Sequence, residues 1–199
     1  MKLILASNNK GKVVEFREIL AGTGIEVIPQ REAGCDFEVD ETGDTFEENA
    51  FLKAEAAMKA TGLPAVSDDS GLEVDALGGA PGVHSARYTG NHDDSDLDRR
   101  KFLMKNLEGV EHREARFVSA ICCVFPNGDV LRARGTCEGR IATYMKGENG
   151  FGYDAMFIAD GEDRTMAEMT HEEKNEISHR GRALREFARV LKEYCNADK

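Results

Sequence analysis

Leu63-Pro64-Ala65-Val66-Ser67-Asp68-Asp69-Ser70-Gly71 is a short apolar run that ends on two adjacent carboxylates. Its first part reads as a buried strand over 63–67, and Ser67 to Gly71 as a polar turn that closes it. An open α/β sheet receives its ligands at the carboxyl ends of its strands, so this turn is a candidate site. Side chains alternate along a strand, so Asp68 and Asp69 point opposite ways if the strand persists that far. One then faces a crevice and the other supports the backbone. A crevice carboxylate suits a hard cation with oxygen ligands, Mg²⁺ above all beside phosphates. The same residue types also make plain surface turns, so the flanking chain has to decide.

Upstream, Lys2 to Ala6 reads as a strand, and a polar turn Ser7-Asn8-Asn9-Lys10-Gly11-Lys12 follows. Val13, Phe16, Ile19 and Leu20 then fall on one helical face, with Gly22 and Gly24 as the stop. A helix start after a strand offers backbone N–H groups and a positive dipole end to anions. Lys10 and Lys12 add charge there, and Gly11 permits close approach. The Walker pattern G-x-x-x-x-G-K-[ST] is absent, and an ordinary capped helix with surface lysines fits the same residues. Ile25 to Ile28 is a second strand. The stretch 31–44 is irregular and acidic, with Glu38, Asp40, Glu41 and Asp44. Thr45-Phe46-Glu47-Glu48 is a capping box that opens a helix running to about Ala60. Ala50, Phe51, Ala54, Ala57 and Met58 form its core face. Asn49 and Lys53, four apart, share another. Lys53 is placed for a phosphate or a neighbouring acid, and Glu41 for a second metal carboxylate.

Downstream, Leu72 to Ala76 alternates as a half-buried strand, and Leu77 to Gly82 is a glycine-rich loop. The loop Thr89 to Asp98 holds a His92-Asp93 pair, which in a hydrophilic segment reads as solvated surface. Arg99 to Leu107 is a helix. Glu114–Phe125 and Asp129–Glu138 form a hairpin around Pro126-Asn127-Gly128, after which Gly139 to Ala142 leaves the sheet. Gly150-Phe151-Gly152-Tyr153-Asp154 sets two aromatics and a carboxylate in a turn, suited to stacking on and hydrogen-bonding a base, or to plugging a core. Ala155 to Ala159 is a strand. Thr170-His171-Glu172-Glu173 is a second capping box; Asn175 breaks the H-E-x-x-H zinc pattern. Lys174, His179 and Arg180 offer donors for phosphate or carbonyl oxygens, each equally at home on a charged surface. Gly181 marks a break before a final helix docked by Leu184, Phe187, Ala188 and Leu191.

The 199 residues suit one domain of two lobes that share a central sheet. The net charge of −11 argues against nucleic acid and anionic membrane as partners. It leaves room for an anionic small substrate, because a cation and a few lysines reverse the field locally. No apolar run reaches the ~20 residues of a membrane span, and the N-terminus reads as a strand, not a signal peptide. Cys35, Cys122, Cys123, Cys137 and Cys195, without C-x-x-C, read as reduced structural thiols of a cytoplasmic protein.

The order of these motifs is more specific than any one of them. Ser7 to Lys12, Thr45 to Ala50 with Lys53, Ser67 to Leu72, and Gly78 to Gly82 with Ser85 to Tyr88 come in series. Gly150 to Asp154 and Lys174-Asn175 with Ser178-His179-Arg180 follow. Over nearly the whole chain this resembles the Ham1-like inosine triphosphate pyrophosphatases. The resemblance implies an elongated two-lobed α/β fold with a long mixed β-sheet, flanking helices and a cleft between lobes. It implies hydrolysis of ITP, dITP and XTP to monophosphate and pyrophosphate, with Mg²⁺ as cofactor and a homodimer as assembly. By position, Ser7, Asn8, Asn9, Lys10, Gly11 and Lys12 look like the triphosphate turn, Ser7 standing where the family commonly has Thr. Asp69 looks like the general base and a metal ligand, with Glu41 the second metal carboxylate and Asp40 one residue away as the alternative. Lys53 and Ser70 look like substrate contacts. Phe151, Gly152, Tyr153, Asp154, Lys174, His179 and Arg180 look like the nucleotide pocket. Donors on His179 and Arg180 would favour a 6-oxo purine over adenine; excluding guanine asks in addition that its 2-amino group fit poorly. A Maf-type pyrophosphatase, a non-catalytic nucleotide sensor and a structural or interaction protein, which would leave the ordered motifs unexplained, are the rival readings. The first fits the motif set less well, and the second has no use for a carboxylate over Mg²⁺.

Overall fold

A computed structural model describes residues 1–35, 38–91 and 93–197. His92, half of the pair read above as surface, lies outside them. The chain is mixed α/β, as the sequence predicts. Its strands are β1 (Lys2–Leu5), β2 (Glu26–Pro29), β3 (Ala65–Val74), β4 (Glu114–Val124), β5 (Val130–Ile141) and β6 (Phe157–Ala159). They form one sheet in the order β2-β1-β3-β4-β5-β6. β1 runs parallel to β2 and β3, whereas β5 and β6 are antiparallel, so the sheet is mixed. Among the described residues five α-helices accompany it: α1 (Lys10–Ile19), α2 (Phe46–Thr61), α3 (Asp96–Asn106), α4 (His171–Ile177) and α5 (His179–Ala197).

The chain divides into two compact units. Residues 1–69, 119–135 and 181–199 make the first, and residues 70–118 and 136–180 the second. The first unit packs Leu3, Leu5, Phe16, Val66, Ile121 and Cys123 with Leu184, Phe187 and Leu191 of α5. Cys122, next to Cys123 on β4, belongs to a different cluster with Ala50 and Ala54 of α2, as strand alternation requires. Burial pushes the Cys122 thiol up to about 11, which suits an unreactive, structural side chain. The second unit packs Leu72, Val74, Leu103, Leu107, Phe117, Ile141, Met156 and Phe157. Among the described residues no helix is long and apolar enough to cross a membrane.

Helix starts follow their caps. Thr45 and Thr170 both form the reciprocal capping box that the sequence predicts. A third, Ser95 with Asp98, starts α3 three residues earlier than the apolar pattern suggests. Gly62 ends α2 in the left-handed conformation (φ 67°), the usual role of glycine at that position.

Four expectations are corrected. Ser67 to Gly71 is not a turn, because β3 runs unbroken through ten residues and absorbs both the acidic pair and residues 72–74 of the strand expected at 72–76; Asp75 and Ala76 belong instead to a 3₁₀ turn (Asp75–Leu77). Ser67, Asp68, Asp69 and Ser70 persist in that strand because each finds a partner, described below. Gly139 to Ile141 does not leave the sheet but pairs with Phe157–Ala159. The missing side chain of Gly139 is what permits this, since a Cβ there would collide with Ile158 and Phe157. Ala155 and Met156, expected to start a strand, belong instead to a 3₁₀ turn (Asp154–Met156) before β6. Finally, the break between the last helices falls at Ser178, which is extended (φ −66°, ψ 153°); Gly181 sits inside α5.

Candidate active site

The acidic pair occupies the middle of β3 and its side chains alternate. Ser67 and Asp69 face α2: the Ser67 hydroxyl donates to the Ala50 carbonyl at 2.5 Å, and Lys53 Nζ donates to Asp69 Oδ1 at 2.6 Å. Asp68 takes the other face, where the Ser119 hydroxyl donates to its Oδ1 at 2.6 Å and Lys12 Nζ lies 3.2 Å from its Oδ2. Lys12 Nζ also donates to the Asp68 carbonyl at 2.9 Å. Asp68 is therefore the anchoring residue of the pair. Asp69 is the one that stands in a cluster of charges.

That cluster is built from α2 and the loop before it. Lys53 Nζ donates to Glu41 Oε1 at 2.7 Å as well as to Asp69. Glu41 is thus the loop carboxylate that reaches the cluster, and its neighbour Asp40 is exposed. One turn before Lys53, Asn49 is wholly buried and clamps the same loop. Its Oδ1 accepts the Gly43 N–H at 2.8 Å, and its Nδ2 donates to the Gly43 carbonyl at 3.3 Å. A side chain on Gly43 would come within 2.6 Å of Glu48 Cβ and 2.8 Å of Asn49 Oδ1. The sequence places Asn49 on one helical face with Lys53 but assigns it no role. Its signal was a short amide inside an otherwise well-formed helix, where such a residue needs a partner to persist. Asn49→Ala should leave the Gly43 N–H and carbonyl without their partner and cost about 1–3 kcal/mol. A thermal melt several degrees below the parent's is the expected reading; an unchanged melt would mean the clamp carries no weight.

Burial disfavours the charged form of Lys53, but Asp69 and then Glu41 outweigh it and hold its pKa above the ordinary lysine value. Burial also raises the Asp69 carboxyl, more than Lys53 and Lys12 lower it, with Glu41 adding to the rise. The ammonium is thus firmly charged, and Asp69 is a more basic carboxylate than one in water.

Ser7 to Lys12 forms a capped helix start. Asn9 is the N-cap of α1 and its Oδ1 accepts the Lys12 N–H at 3.2 Å. Ser7 Oγ accepts the Asn9 N–H at 3.1 Å, and Asn8 Oδ1 the Arg31 N–H at 3.2 Å. These three polar side chains shape the turn. Lys10 and Gly11 are exposed at the helix end, and Lys12 alone reaches inward to Asp68.

In the second unit, Arg180 is 4% exposed and donates from Nη2 to the Ser70 hydroxyl at 3.1 Å. His179, also buried, stacks on Phe117 with ring centroids 4.8 Å apart. Phe151 is the exception to burial, at 51% exposed. Lys174 Nζ lies 4.9 Å from the centre of its ring and Arg180 Cζ 5.5 Å. Asp154 Oδ2 accepts both the Phe151 N–H at 2.9 Å and Lys174 Nζ at 2.6 Å, so it organises this group internally. Tyr153 is buried, and its hydroxyl donates to the Ser85 carbonyl at 2.9 Å. Of the two aromatics, Tyr153 is the core plug and Phe151 presents an open face. Lys174, His179 and Arg180 are not the solvated surface residues that each resembles singly.

Two carboxylate oxygens that converge on one ammonium define a place made for a cation. Among the described residues no three His, Cys, Asp or Glu side chains gather for a metal. Mg²⁺ does not ask for three, because it is commonly held by one or two carboxylates with water and substrate phosphates. Glu41 and Asp69 fit that donor set.

The family model described as Ham1 family matches residues 3–190. The dITP/XTP pyrophosphatase of Symbiobacterium thermophilum is 54% identical over 92% of this chain and 91% of its own. That of Bacillus subtilis is 47% identical over 94% and 96%. Among solved structures, a HAM1 protein from Coxiella burnetii superposes with a TM-score of 0.91 at 43% identity, covering 97% of this chain and 99% of its own. The Staphylococcus aureus Ham1 protein gives 0.88 at 42% identity, with both chains covered in full. With its acidic pair, lysines and aromatic turn accounted for, this chain belongs to the Ham1 family.

Proposed function

We propose that this protein hydrolyses the 6-oxo purine triphosphates dITP, ITP and XTP to the monophosphate and pyrophosphate, with Mg²⁺ as cofactor, and so clears them from the nucleotide pool. The observation that carries the reading is the Glu41–Lys53–Asp69 cluster, in a chain whose relatives of similar length are named for this activity. We assign Lys12, Lys53 and the turn at Ser7 to Gly11 to the triphosphate, and Phe151, Lys174, His179 and Arg180 to the purine.

A nucleoside triphosphate carries about four negative charges, so cations must share them, and phosphoryl transfer is mostly positioning and charge stabilisation. Glu41 and Asp69 would hold the divalent ion, which supplies neutralisation of charge on the phosphate oxygens. Asp69, made more basic by burial, accepts the proton of a water that attacks the α-phosphorus. The bond from that phosphorus to the bridging oxygen breaks, and pyrophosphate leaves with the electron pair. Lys53 shares its ammonium between the two carboxylates and offers the leaving phosphates a partner. Of the residues assigned to the purine, Phe151 offers a face for the base, and the donors of Arg180 and His179 meet a 6-oxo group but clash with the 6-amino group of adenine. We propose a homodimer, as the family resemblance implies, and a cytoplasmic location, as the five cysteines without C-x-x-C suggest.

Pyrophosphate release from ITP, XTP, dITP, GTP and ATP, each with and without Mg²⁺, tests the reading. Deoxyinosine, inosine and xanthosine triphosphates should exceed ATP by about 100-fold or more in kcat/KM, as a hydrogen-bonding site allows, and should exceed GTP by the factor that a poor fit of its 2-amino group imposes. Equal rates for all five would refute the purine assignment, and full activity in a chelator would refute the metal. Phe151→Ala should raise KM for ITP about tenfold while kcat stays within a few-fold, since an aromatic stack on a base is worth about 1–3 kcal/mol.

A further inference from the structure

Phe151 is held in an unusual way. Its ring is half exposed, so packing does little to fix it. What fixes it is backbone. The Phe151 N–H is accepted by Asp154, and the next amide, that of Gly152, is accepted by Asp96 Oδ2 at 2.6 Å. Gly150 and Gly152 on either side have φ of 76° and 58°, a conformation that glycine adopts readily. Such a segment has little stiffness of its own and takes its shape from these two tethers together with the Asp154 N–H, which donates to the Phe151 carbonyl at 3.2 Å.

Asp96 is well placed to hold one of them. It is the first residue of α3, behind the Ser95 cap. Asp98, close by in the same acidic stretch, is spent on the capping box; Asp96 is not. Its other oxygen, Oδ1, is held by the guanidinium of Arg99, which also bonds the Asp94 carbonyl. Burial alone would raise the Asp96 carboxyl, but the Arg99 and Gly152 donors outweigh it and keep it below the usual range, so it is charged at neutral pH. A charge-assisted acceptor of this kind is roughly twice as strong as a neutral one. Asp96 also lines a small cavity of about 130 Å³ with Arg100, Asn149, Gly150, Phe151 and Asp154.

We propose that Asp96 is a positioning residue for purine recognition: by holding the Gly152 amide it sets where the Phe151 ring stands. The proposal rests on the assignment of Phe151 to the base. It makes α3, which the sequence reads only as a helix without a part in the site, a determinant of substrate affinity.

A double-mutant cycle in the full chain tests it, with KM and kcat for ITP and a thermal melt for each variant. Asp96→Ala should raise KM about tenfold with kcat within about twofold, because the lost contact orders the pocket and takes no part in bond breaking. Asp96→Asn keeps an oxygen for the Gly152 N–H and should restore KM to within about threefold of the parent. Added to Phe151→Ala, Asp96→Ala should change KM by less than about twofold, since residues acting through one group are not additive. An unchanged KM in Asp96→Ala where Phe151→Ala is impaired would overturn the proposal and leave the purine assignment standing. So would independent multiplication of the two effects, or an Asp96→Asn as impaired as Asp96→Ala. An inert Phe151→Ala would overturn both. Should Asp96→Ala fold poorly, Asp96→Asn in the same cycle, compared with the parent at a slightly raised KM, decides on the same criterion of non-additivity.

Discussion

Asp69→Asn should lower ITP turnover by about 10²–10⁴-fold, the range typical of losing a positioned general base. The melting temperature should move by only a few degrees. The two expectations follow from different properties of one side chain. For the fold, what Asp69 supplies is an oxygen 2.6 Å from the Lys53 ammonium on a strand that is otherwise well packed. Asparagine offers an oxygen of the same reach. For the chemistry, what Asp69 supplies is a negative, proton-accepting group that burial has made more basic. Asparagine offers neither charge nor basicity, and it is a poorer partner for a hard cation. Turnover and pyrophosphate release under saturating ITP and Mg²⁺, with a circular-dichroism melt of the same sample, separate these contributions. Near-parental turnover in the variant would remove Asp69 from the base role. The adjacent acid is the natural control. Asp68 is buried against Ser119 and Lys12, so its replacement should show in the melt as much as in the rate.

The two carboxylates also show where sequence reading succeeds and where it stops. Alternation along a strand predicts that Asp68 and Asp69 diverge, and they do: one goes to Lys12 and Ser119, the other to Lys53. What local pattern could not show is that the strand continues. Asp, Ser and Gly favour turns only when their polar groups have no better partner. Here the partners are Ala50, Lys53, Lys12 and Ser119, supplied from 15 or more residues away in sequence. Gly139 errs in the same sense. Glycine weakens a strand unless another backbone needs the space, and Phe157 to Ala159 occupies it.

Helix starts were legible because a cap is a contact over three residues. The caps at Thr45 and Thr170 were read directly, and that at Ser95 was overlooked because the acidic loop before it masked the pattern. The candidate site was legible only as a list of residue types in order. Which of Asp40 and Glu41 reaches Lys53 depends on how the loop is folded over Asn49, and Asn49 has no distinguishing mark beyond its place inside a helix. The same holds for Phe151 and Tyr153. Two aromatics one residue apart look alike in sequence, but one is closed in by the Ser85 carbonyl and the other is left open beside two cations.

Lys53→Met should be the most damaging single change, lowering both stability and rate. The methionine matches the aliphatic stem but removes the ammonium that Glu41 and Asp69 share. The two carboxylates then face one another, mostly shielded from water, at side-chain exposures of 26% and 11%. Removing one partner from such a group costs about 3 kcal/mol or somewhat more when burial is complete, so about 2–3 kcal/mol is expected here. For a chain of this size that is a fall in melting temperature of roughly 5–10 °C. The pH dependence identifies the cause. Lys53 has its pKa raised in the folded state, so its contribution is complete below the ordinary lysine value and fades only as pH climbs through the raised one. At neutral pH the deficit of the variant is therefore full. As pH falls, Glu41 and Asp69 in the variant can share a proton, which relieves their repulsion. The gap between parent and variant should then narrow between pH 7 and about pH 5, the lower end of the range in which carboxylates raised above ~4 begin to protonate. Mg²⁺ offers a second relief, since a divalent ion between the two carboxylates restores the missing positive charge. Added at millimolar concentration without nucleotide, it should raise the melting temperature of Lys53→Met by more than that of the parent. Hydrolysis should stay depressed by about 100-fold even so, because the ion replaces the charge at the carboxylates but not the donor that Lys53 offers the phosphates. A deficit that is independent of both pH and Mg²⁺ would mean that methionine simply packs badly, and the shared ammonium would lose its place as the organising charge of the site.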